Sequence, residues 1–187
     1  MAERPRTDKP FQRKGAESNS QVGRDFEAEA KTFFARQGLH LTPNMAVQIG
    51  LNARKAHNFD LGSEKERVLV ECKAHTWTEG GNVPSAKLTA WNQAMFFFHA
   101  APCGYRKILF VLRDFSKKRN QTLAEYYVRT NPHLIPHGVE IWEFDEQRKR
   151  GKQIPPCPAA RRLGGRQNIR ACATSGGGQA GSRYVRD

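Results

Sequence analysis

Two apolar runs on either side of a helical pattern constrain the fold of this chain more than any other feature. The run "RVLVECKA" at 67–74 is typical of a strand, and "KILFVLRD" at 107–114 is continuously apolar, as in strands buried on both faces. Between them, Pro84 and Ser85 open a helix with one apolar face, formed by Leu88, Trp91, Met95 and Phe98. Strands joined by a helix usually lie parallel in one sheet, so the sequence predicts an α/β fold.

Weaker patterns complete the predicted order of elements. A first helix begins near Gln21 and stops at Gly38, with apolar residues at helical spacing: Val22, Phe26, Ala30 and Phe33. Strands are predicted at 45–50 and 57–62, a short helix over 121–130, and a final alternating strand at 138–144. The order α-β-β-β-α-β-α-β indicates a mixed β-sheet flanked by helices.

The distribution of charge divides the chain of 187 residues into three parts. Residues 1–20 are predicted to be a disordered segment, and 21–147, with sixteen basic and fourteen acidic side chains, to be the domain. Residues 148–187 hold ten basic side chains and one acidic one, and are predicted to be a flexible tail rich in Gly, Pro and Arg. Such a tail favours a polyanion, either nucleic acid or an anionic membrane; the alternative is a solvated tail that only aids solubility.

Targeting signals and cysteines indicate the cellular compartment of the protein. No run approaches the apolar length of a membrane span, and the N-terminus lacks the apolar segment of a signal peptide, which predicts a cytoplasmic protein without a membrane partner. The four cysteines have no C-x-x-C spacing, so reduced thiols are expected. Cys72 and His75, with His57 nearby, form only one loose pair, whereas structural zinc usually needs two tight pairs.

Two acid-x-Lys triplets occur, and their geometry separates them. In the triplet at 29–31 the acid and the lysine lie on a helical pattern, where residues two apart point in nearly opposite directions. Glu71 and Lys73 end a strand, where alternate residues share a face at roughly 6–7 Å. Asp60 ends the preceding strand and joins them if the two strands form a hairpin.

This spacing leaves two interpretations open. Two carboxylates are hard ligands that suit Mg²⁺, whose bound water becomes a better nucleophile. Lys73 would then orient or deprotonate that water, or stabilise the transition state. In the other interpretation, Asp60 and Glu71 pair with Lys73 and Arg67 in an ordinary surface salt-bridge cluster.

The array Asp60…Glu71-Cys72-Lys73 resembles the signature of the PD-(D/E)xK nuclease superfamily. That superfamily includes many restriction endonucleases and the archaeal-type Holliday junction resolvases. Its αβββαβ core has the order predicted here for residues 21–113, with the aspartate ending the second strand and the acid-x-Lys on the third. Phe59 stands where the signature has proline, a departure that many members tolerate.

The resemblance implies a restriction-endonuclease-like fold and assigns roles at the site. Asp60, Glu71 and Lys73 become catalytic residues, and Asp60, Glu71 and Cys72 become ligands of Mg²⁺, with Mn²⁺ as a substitute. The family often has an acidic residue on the first helix, where "GRDFE" at 23–27 makes Glu27 the catalytic candidate. The alternative for Glu27 is a helix-surface pair with the lysine four residues later.

Candidate contacts with nucleic acid lie on nearby segments. Ser85 and Lys87 stand near a helix N-terminus and can reach phosphate, although a solvated helix face explains them equally. Arg54 and Lys55 are further candidates in the predicted domain. Trp77, just after the strand, either wedges into nucleic acid or packs over the strand end.

Together these features predict a metal-dependent DNA endonuclease that hydrolyses phosphodiester bonds. Endonuclease is favoured because a small domain has little room for a threading channel, and a homodimer would bring two sites to both strands. The alternatives are a non-catalytic nucleic-acid-binding module on the same fold, and an RNA-processing nuclease. Nothing in the chain resembles an aromatic RNA-binding motif.

Overall fold

The computed structural model describes residues 19–155, and the predictions for residues 1–18 and 156–187 lie outside this range. Within it, helices pack on both faces of a central sheet. The elements are α1 (Asn19–Ala35), β1 (Thr42–Ile49), β2 (Lys55–Ser63), β3 (Val68–Lys73), α2 (Ser85–Ala100), β4 (Arg106–Leu112), β5 (Phe115–Ser116), β6 (Gln121–Thr122), α3 (Leu123–Thr130), a 3₁₀ turn (Pro132–Leu134), β7 (Val139–Asp145) and β8 (Arg150–Ile154).

Six strands form one mixed sheet in the order β1-β2-β3-β4-β7-β8. The strands β1, β2 and β3 are antiparallel neighbours, β3, β4 and β7 run parallel, and β8 returns antiparallel to β7. The connections through α2 and α3 allow the parallel pairs, because parallel neighbours need a long crossover. The predicted α/β class with a mixed sheet and flanking helices is confirmed.

The central strand β3 contributes to two hydrophobic cores. Val68 and Val70 face α1, where they join Phe26 and Phe34. Leu69 faces the opposite core, formed with α2 and α3. All of these side chains are nearly inaccessible, as expected for a strand that is covered on both faces.

The first helix matches its prediction with small differences. It begins at Asn19, two residues earlier than expected, and Gly38 has a left-handed φ of 81° in the turn that follows. Phe34 is fully buried, whereas Phe33 is only partly buried. The buried positions therefore follow a spacing of four residues from Phe26 through Ala30 to Phe34.

Strand β8 lies in the segment that the sequence assigned to the flexible tail. It pairs with β7 from Asp145↔Arg150 to Ile141↔Ile154, and Ile154 is buried in the core beside α2 and α3. The sequence signal was weak, because charged or small residues precede the one buried position, as is common in edge strands. The folded part therefore extends beyond the predicted boundary at residue 147, through residue 155.

Two further findings concern the expectations about membrane spans and about the redox state of the cysteines. Among residues 19–155, no helix combines the length and apolar character that crossing a membrane requires. Cys72 is a free, buried thiol, but Cys103 is disulfide-bonded, so the expectation of reduced thiols is wrong for Cys103. The spacing of single cysteines does not show which of them meet in the fold.

Candidate active site

The strand β2 changes face at Asp60. Phe59 packs in the core beside α2 and Leu61 in the core beside α1, although residues two apart share a face in a regular strand. Opposite Asp60, Asn44 of β1 has a left-handed φ of 54°, and the Asn44–Asp60 pair is missing from an otherwise continuous ladder. This distortion accompanies the turn of the Asp60 carboxylate towards the end of β3.

The structure brings Asp60, Glu71 and Lys73 together. The main-chain N–H of Cys72 donates to Oδ2 of Asp60 at 2.7 Å. The ammonium of Lys73 lies 2.7 Å from Oε2 of Glu71 and 3.4 Å from the same Asp60 oxygen. One ammonium therefore lies between two carboxylates at the carboxyl end of β3, and we call these three side chains the carboxylate–lysine cluster.

The carboxylate–lysine cluster is largely buried. The side chain of Glu71 is 6% exposed, that of Lys73 is 18% exposed and that of Asp60 is 24% exposed. Arg67 is absent from this cluster, since it lies before β3 and pairs with Glu64 at 2.7 Å. Of the alternative salt-bridge cluster, the pairing of Asp60 and Glu71 with Lys73 is observed, whereas the participation of Arg67 and the surface position are wrong.

Glu27 on α1 lies within electrostatic reach of the cluster. Burial, then the negative charge of Asp60, raise the pKa of Glu27, with a further contribution from Glu71 and an opposing one from Lys73. The residues described show no hydrogen bond or ion pair between Glu27 and Lys31. In the other acid-x-Lys triplet, Glu29 instead pairs with Lys149 at 2.5 Å.

The protonation states of Lys73 and Cys72 follow from their surroundings. Burial alone lowers the pKa of Lys73, but Glu71 and then Asp60 raise it, and the net effect is a raised pKa. Burial raises the pKa of the Cys72 thiol well above its ordinary value. That thiol packs in the core beside α1, so only the main chain of Cys72 lies at the site.

His57 is a member of the site that sequence reasoning did not assign to it. Its Nε2 lies 3.1 Å from Oε1 of Glu71, so His57 and Lys73 together engage both oxygens of that carboxylate. The imidazole packs against Phe97, with ring centroids 3.9 Å apart, and edge-on against Phe59. Alternation along β2 from Phe59 places His57 on the same face, and this was the available signal.

The residues proposed to contact nucleic acid lie at the start of α2 and at the start of β2. Burial, then the nearby positive charges of Lys87 and Lys73, lower the pKa of His75 to about 4. His75 is therefore neutral, and its Nδ1 accepts a hydrogen bond from the indole of Trp91 at 2.9 Å. Ser85 is exposed at the first position of α2.

Arg54 and Lys55 are exposed at the start of β2, the strand that carries His57 further along. Trp77 is only 6% exposed and donates its main-chain N–H to Asp114 at 2.7 Å. The interpretation of Trp77 as an exposed wedge is therefore wrong, because its ring packs over the strand ends and against Tyr126.

The donor atoms at the site suit a hard divalent cation. Within residues 19–155, no three His, Cys, Asp or Glu side chains form a group that could hold a metal by themselves. Mg²⁺ is commonly bound by one or two carboxylates, with waters and substrate phosphates completing its shell. Asp60 and Glu71 fit this pattern, and the absence of a paired soft donor set among the described residues does not fit structural zinc.

The chain matches no protein-family model, and no similar protein is found among curated proteins or solved structures. The fold and the site together define an α/β protein with a buried carboxylate–lysine cluster where its central strand ends.

Proposed function

We propose that the protein is a Mg²⁺-dependent deoxyribonuclease of the PD-(D/E)xK, restriction-endonuclease-like type, which hydrolyses phosphodiester bonds within DNA strands. The observation that carries this proposal is the position of the Lys73 ammonium between the carboxylates of Asp60 and Glu71. The order α1-β1-β2-β3-α2-β4, with β1 to β3 antiparallel and β4 parallel to β3, supports the αβββαβ core.

The balance of charge at the site also supports a cation. Asp60, Glu71 and Glu27 lie within electrostatic reach of Lys73, and Arg24 also acts on Glu27, so three acids face two permanent positive charges in a partly buried region. Burying charge costs several kcal/mol per ion unless it is compensated. Lys73 compensates for part of this excess, and a divalent cation bound by the two carboxylates neutralises more of it.

In this proposal Asp60 and Glu71 hold Mg²⁺, with Mn²⁺ as a substitute, and the main chain of Cys72 lies beside them. The cation supplies Lewis-acid polarisation of the phosphate and a bound water with a lowered pKa. His57 holds the second oxygen of Glu71 and so fixes the carboxylate. Lys73 acts as a hydrogen-bond donor to the attacking water or the charged phosphate oxygens, a role that its raised pKa favours over proton abstraction.

The substrate in this proposal is held by basic residues around the site. Lys87 is one candidate for a phosphate contact, because its charge and that of Lys73 both act on His75. Arg54, Lys55 and Ser85 are exposed and extend the surface available to the DNA backbone. Such contacts position the strand without reading its sequence, and a homodimer would present two sites to both strands.

A specific observation favours a second candidate, a non-catalytic nucleic-acid-binding module. Both oxygens of Glu71 are engaged by side chains of the protein, one by His57 and the other by Lys73. If His57 and Lys73 keep both oxygens of Glu71 occupied, that carboxylate is not available to a metal ion. The protein would then bind DNA without cleaving it.

Incubation with several nucleic acids distinguishes these candidates. The full-length protein is mixed with supercoiled, linear, single-stranded and four-way-junction DNA, and with RNA, in Mg²⁺, Mn²⁺, Ca²⁺ or EDTA. We expect cleavage of DNA in Mg²⁺ or Mn²⁺, with opening of the supercoiled circle as the sign of endonuclease activity. Ca²⁺ should support binding with little turnover, because its larger and looser shell positions water poorly.

Full cleavage in excess chelator would contradict the metal-dependent mechanism. Binding without cleavage in every metal would support the non-catalytic module. Cleavage confined to RNA would identify an RNA-processing nuclease instead.

A further inference from the structure

A cleft of about 380 Å³ lies beyond the carboxyl ends of β3 and β4. One wall is the loop at 77–81, and the other is the hairpin of β5 and β6, at 115–122. Both walls follow the carboxyl ends of the parallel strands β3 and β4. Lys73 lies at the same end of the sheet. Trp77 follows Lys73 by four positions, so the Cα atoms of these two residues are at most roughly 14 Å apart.

The two walls are fixed to each other. Trp77 is buried, its main-chain N–H donates to Oδ2 of Asp114 at 2.7 Å, and its indole N–H donates to the Asp114 carbonyl at 3.1 Å. Arg119 of the hairpin donates to the carbonyl of Gly81 at 3.3 Å. The cleft is therefore a built feature of the fold and does not depend on one flexible loop.

The hairpin side of the cleft has unpaired positive charge. Lys117 and Lys118 are exposed and have no acidic partner among the described residues. Two acids also line the cleft, but the carboxylate of Asp114 already accepts the Trp77 main-chain N–H. Lys117 and Lys118 balance Asp114 and Glu79 in the lining, and Arg119, which donates to the carbonyl of the lining residue Gly81, adds a third base nearby.

An exposed aromatic ring stands in the same cleft. Phe115 is 44% exposed and lies two positions before Lys117, the first basic residue of the hairpin tip. In a duplex each base stacks on its neighbours, so its face is unavailable to a protein ring. An exposed aromatic beside phosphate-binding lysines is the arrangement by which proteins bind unpaired nucleotides. The volume of the cleft lies within the range of roughly 300–1,000 Å³ that is usual for small-molecule sites.

We propose that this cleft binds an unpaired nucleotide of the DNA strand beside the scissile phosphate. The base stacks on Phe115, and Lys117 and Lys118 hold the adjoining phosphates. The identity of the strand rests on the proposed nuclease function, and the cleft narrows the substrate to DNA that is single-stranded or locally unpaired next to the cut.

Binding without turnover tests this proposal. The full-length protein in EDTA is titrated against a labelled single-stranded oligonucleotide and against a duplex of equal length, at several salt concentrations. Phe115→Ala should weaken single-strand binding by between roughly fivefold and a hundredfold, and duplex binding much less. Phe115→Trp keeps a stacking surface and should bind as the wild type does.

The lysines are tested through salt dependence. In the double variant Lys117→Ala/Lys118→Ala, the slope of log K against log salt should fall by roughly 1.4 on single strands, because each phosphate contact contributes about 0.7. The matched control Arg36→Ala/Lys65→Ala removes two exposed charges far from the carboxyl ends of β3 and β4. Arg36 lies in the segment before β1, and Lys65 lies in the turn before β3. Phe96→Ala removes another exposed ring, 54% accessible, from α2.

The outcomes separate this proposal from the nuclease proposal. If the cleft variants bind single strands as the wild type does, or lose no more affinity than the controls, the cleft proposal is overturned, even when Mg²⁺-dependent cleavage is present. If single-strand binding depends on the cleft but no DNA is cleaved in any metal, the nuclease proposal fails and the cleft proposal stands.

Discussion

The two ends of β3 carry ion pairs of the same length in different surroundings. Before its amino end, Arg67 and Glu64 lie 2.7 Å apart, and their side chains are 44% and 63% exposed. At its carboxyl end, Lys73 and Glu71 also lie 2.7 Å apart, but they are 18% and 6% exposed. Distance alone therefore does not distinguish an exposed ion pair from a largely buried one.

The difference lies in burial and in the number of acids for each base. The amino-end pair has one acid for one base, and such exposed pairs contribute roughly 0–1 kcal/mol. At the carboxyl end Lys73 is shared by Asp60 and Glu71, with Glu27 in reach. A cluster that buries an excess of one charge is costly to the fold, which is the reason for expecting function there.

The largest expected effect is on catalysis at the carboxyl end. Asp60→Ala, Glu71→Ala and Lys73→Ala should each reduce Mg²⁺-dependent DNA cleavage by at least about a hundredfold, since positioned acid–base and charge-stabilising groups contribute on that scale. Glu64→Ala at the amino end should leave the rate unchanged. Circular dichroism checks that each variant is folded.

The second triplet on α1 provides matched controls for this prediction. Glu29→Ala and Lys31→Ala should keep the wild-type rate, because Glu29 pairs with Lys149 away from the cluster. Equal losses in these controls and in the cluster variants, or wild-type rates in the cluster variants, would count against the site.

The second effect is on stability. Lys73→Met leaves the buried carboxylates without their shared partner, and should lower the free energy of unfolding by about 3–5 kcal/mol. Arg67→Met removes an exposed partner and should cost no more than about 1 kcal/mol. Urea denaturation of both variants measures the difference. Equal losses in the free energy of unfolding would contradict the predicted difference between the two ends of β3.

A smaller effect concerns pH, because a half-buried neutral histidine, His75, lies near lysines at the carboxyl end of β3. The folded pKa of His75 is lowered from 6.5 to about 4, so the unfolded chain binds its proton first as the pH falls. His75 therefore contributes stability above pH 6.5 that is lost between pH 6.5 and 4.

Partial solvent access limits this loss to about 2 kcal/mol. His75→Gln keeps an acceptor for the Trp91 indole, and should flatten the unfolding free energy over that pH range. An unchanged slope in thermal unfolding across these pH values would show that His75 titrates normally.

The smallest effect concerns Glu27, whose raised pKa indicates that its charged form is unfavourable in the fold. An acid of this kind costs stability above its folded pKa and nothing once it is protonated. Glu27→Gln should therefore raise the free energy of unfolding at pH 7 by less than about 1 kcal/mol, with the gain vanishing in acid. Glu29→Gln should give no such gain, and a lower cleavage rate in Glu27→Gln would add Glu27 to the site.

The fold was largely predictable because its central strands and helices carry strong periodic patterns. The runs containing Val68–Lys73 and Arg106–Leu112 were identified as strands, and the parallel pair follows from the helix between them. Strand β8 and the short hairpin of β5 and β6 were missed. These strands are recognised only by the strands with which they pair, since their own sequences have no alternation of apolar and polar residues.

The site was predictable only in part. The alternation of Glu71 and Lys73 on one strand was enough to place them together. The face change at Asp60, opposite the left-handed Asn44, could not be inferred from alternation, because alternation assumes an undistorted strand. Alternation places His57 on the face of Phe59, but its contact with Glu71 lies beyond the last paired residues of β2 and β3, so alternation alone did not predict that contact.

The two edges of the sheet have a consequence for how copies of this protein can assemble. Strand β1 contains Pro43, which has no N–H to donate, followed by the left-handed Asn44. At the other edge of the described sheet, β8 carries the charged residues Arg150 and Lys152. Neither edge offers a clean row of main-chain partners, so a second copy would join through helices or loops and not by extending the sheet, and strand-to-strand aggregation is disfavoured.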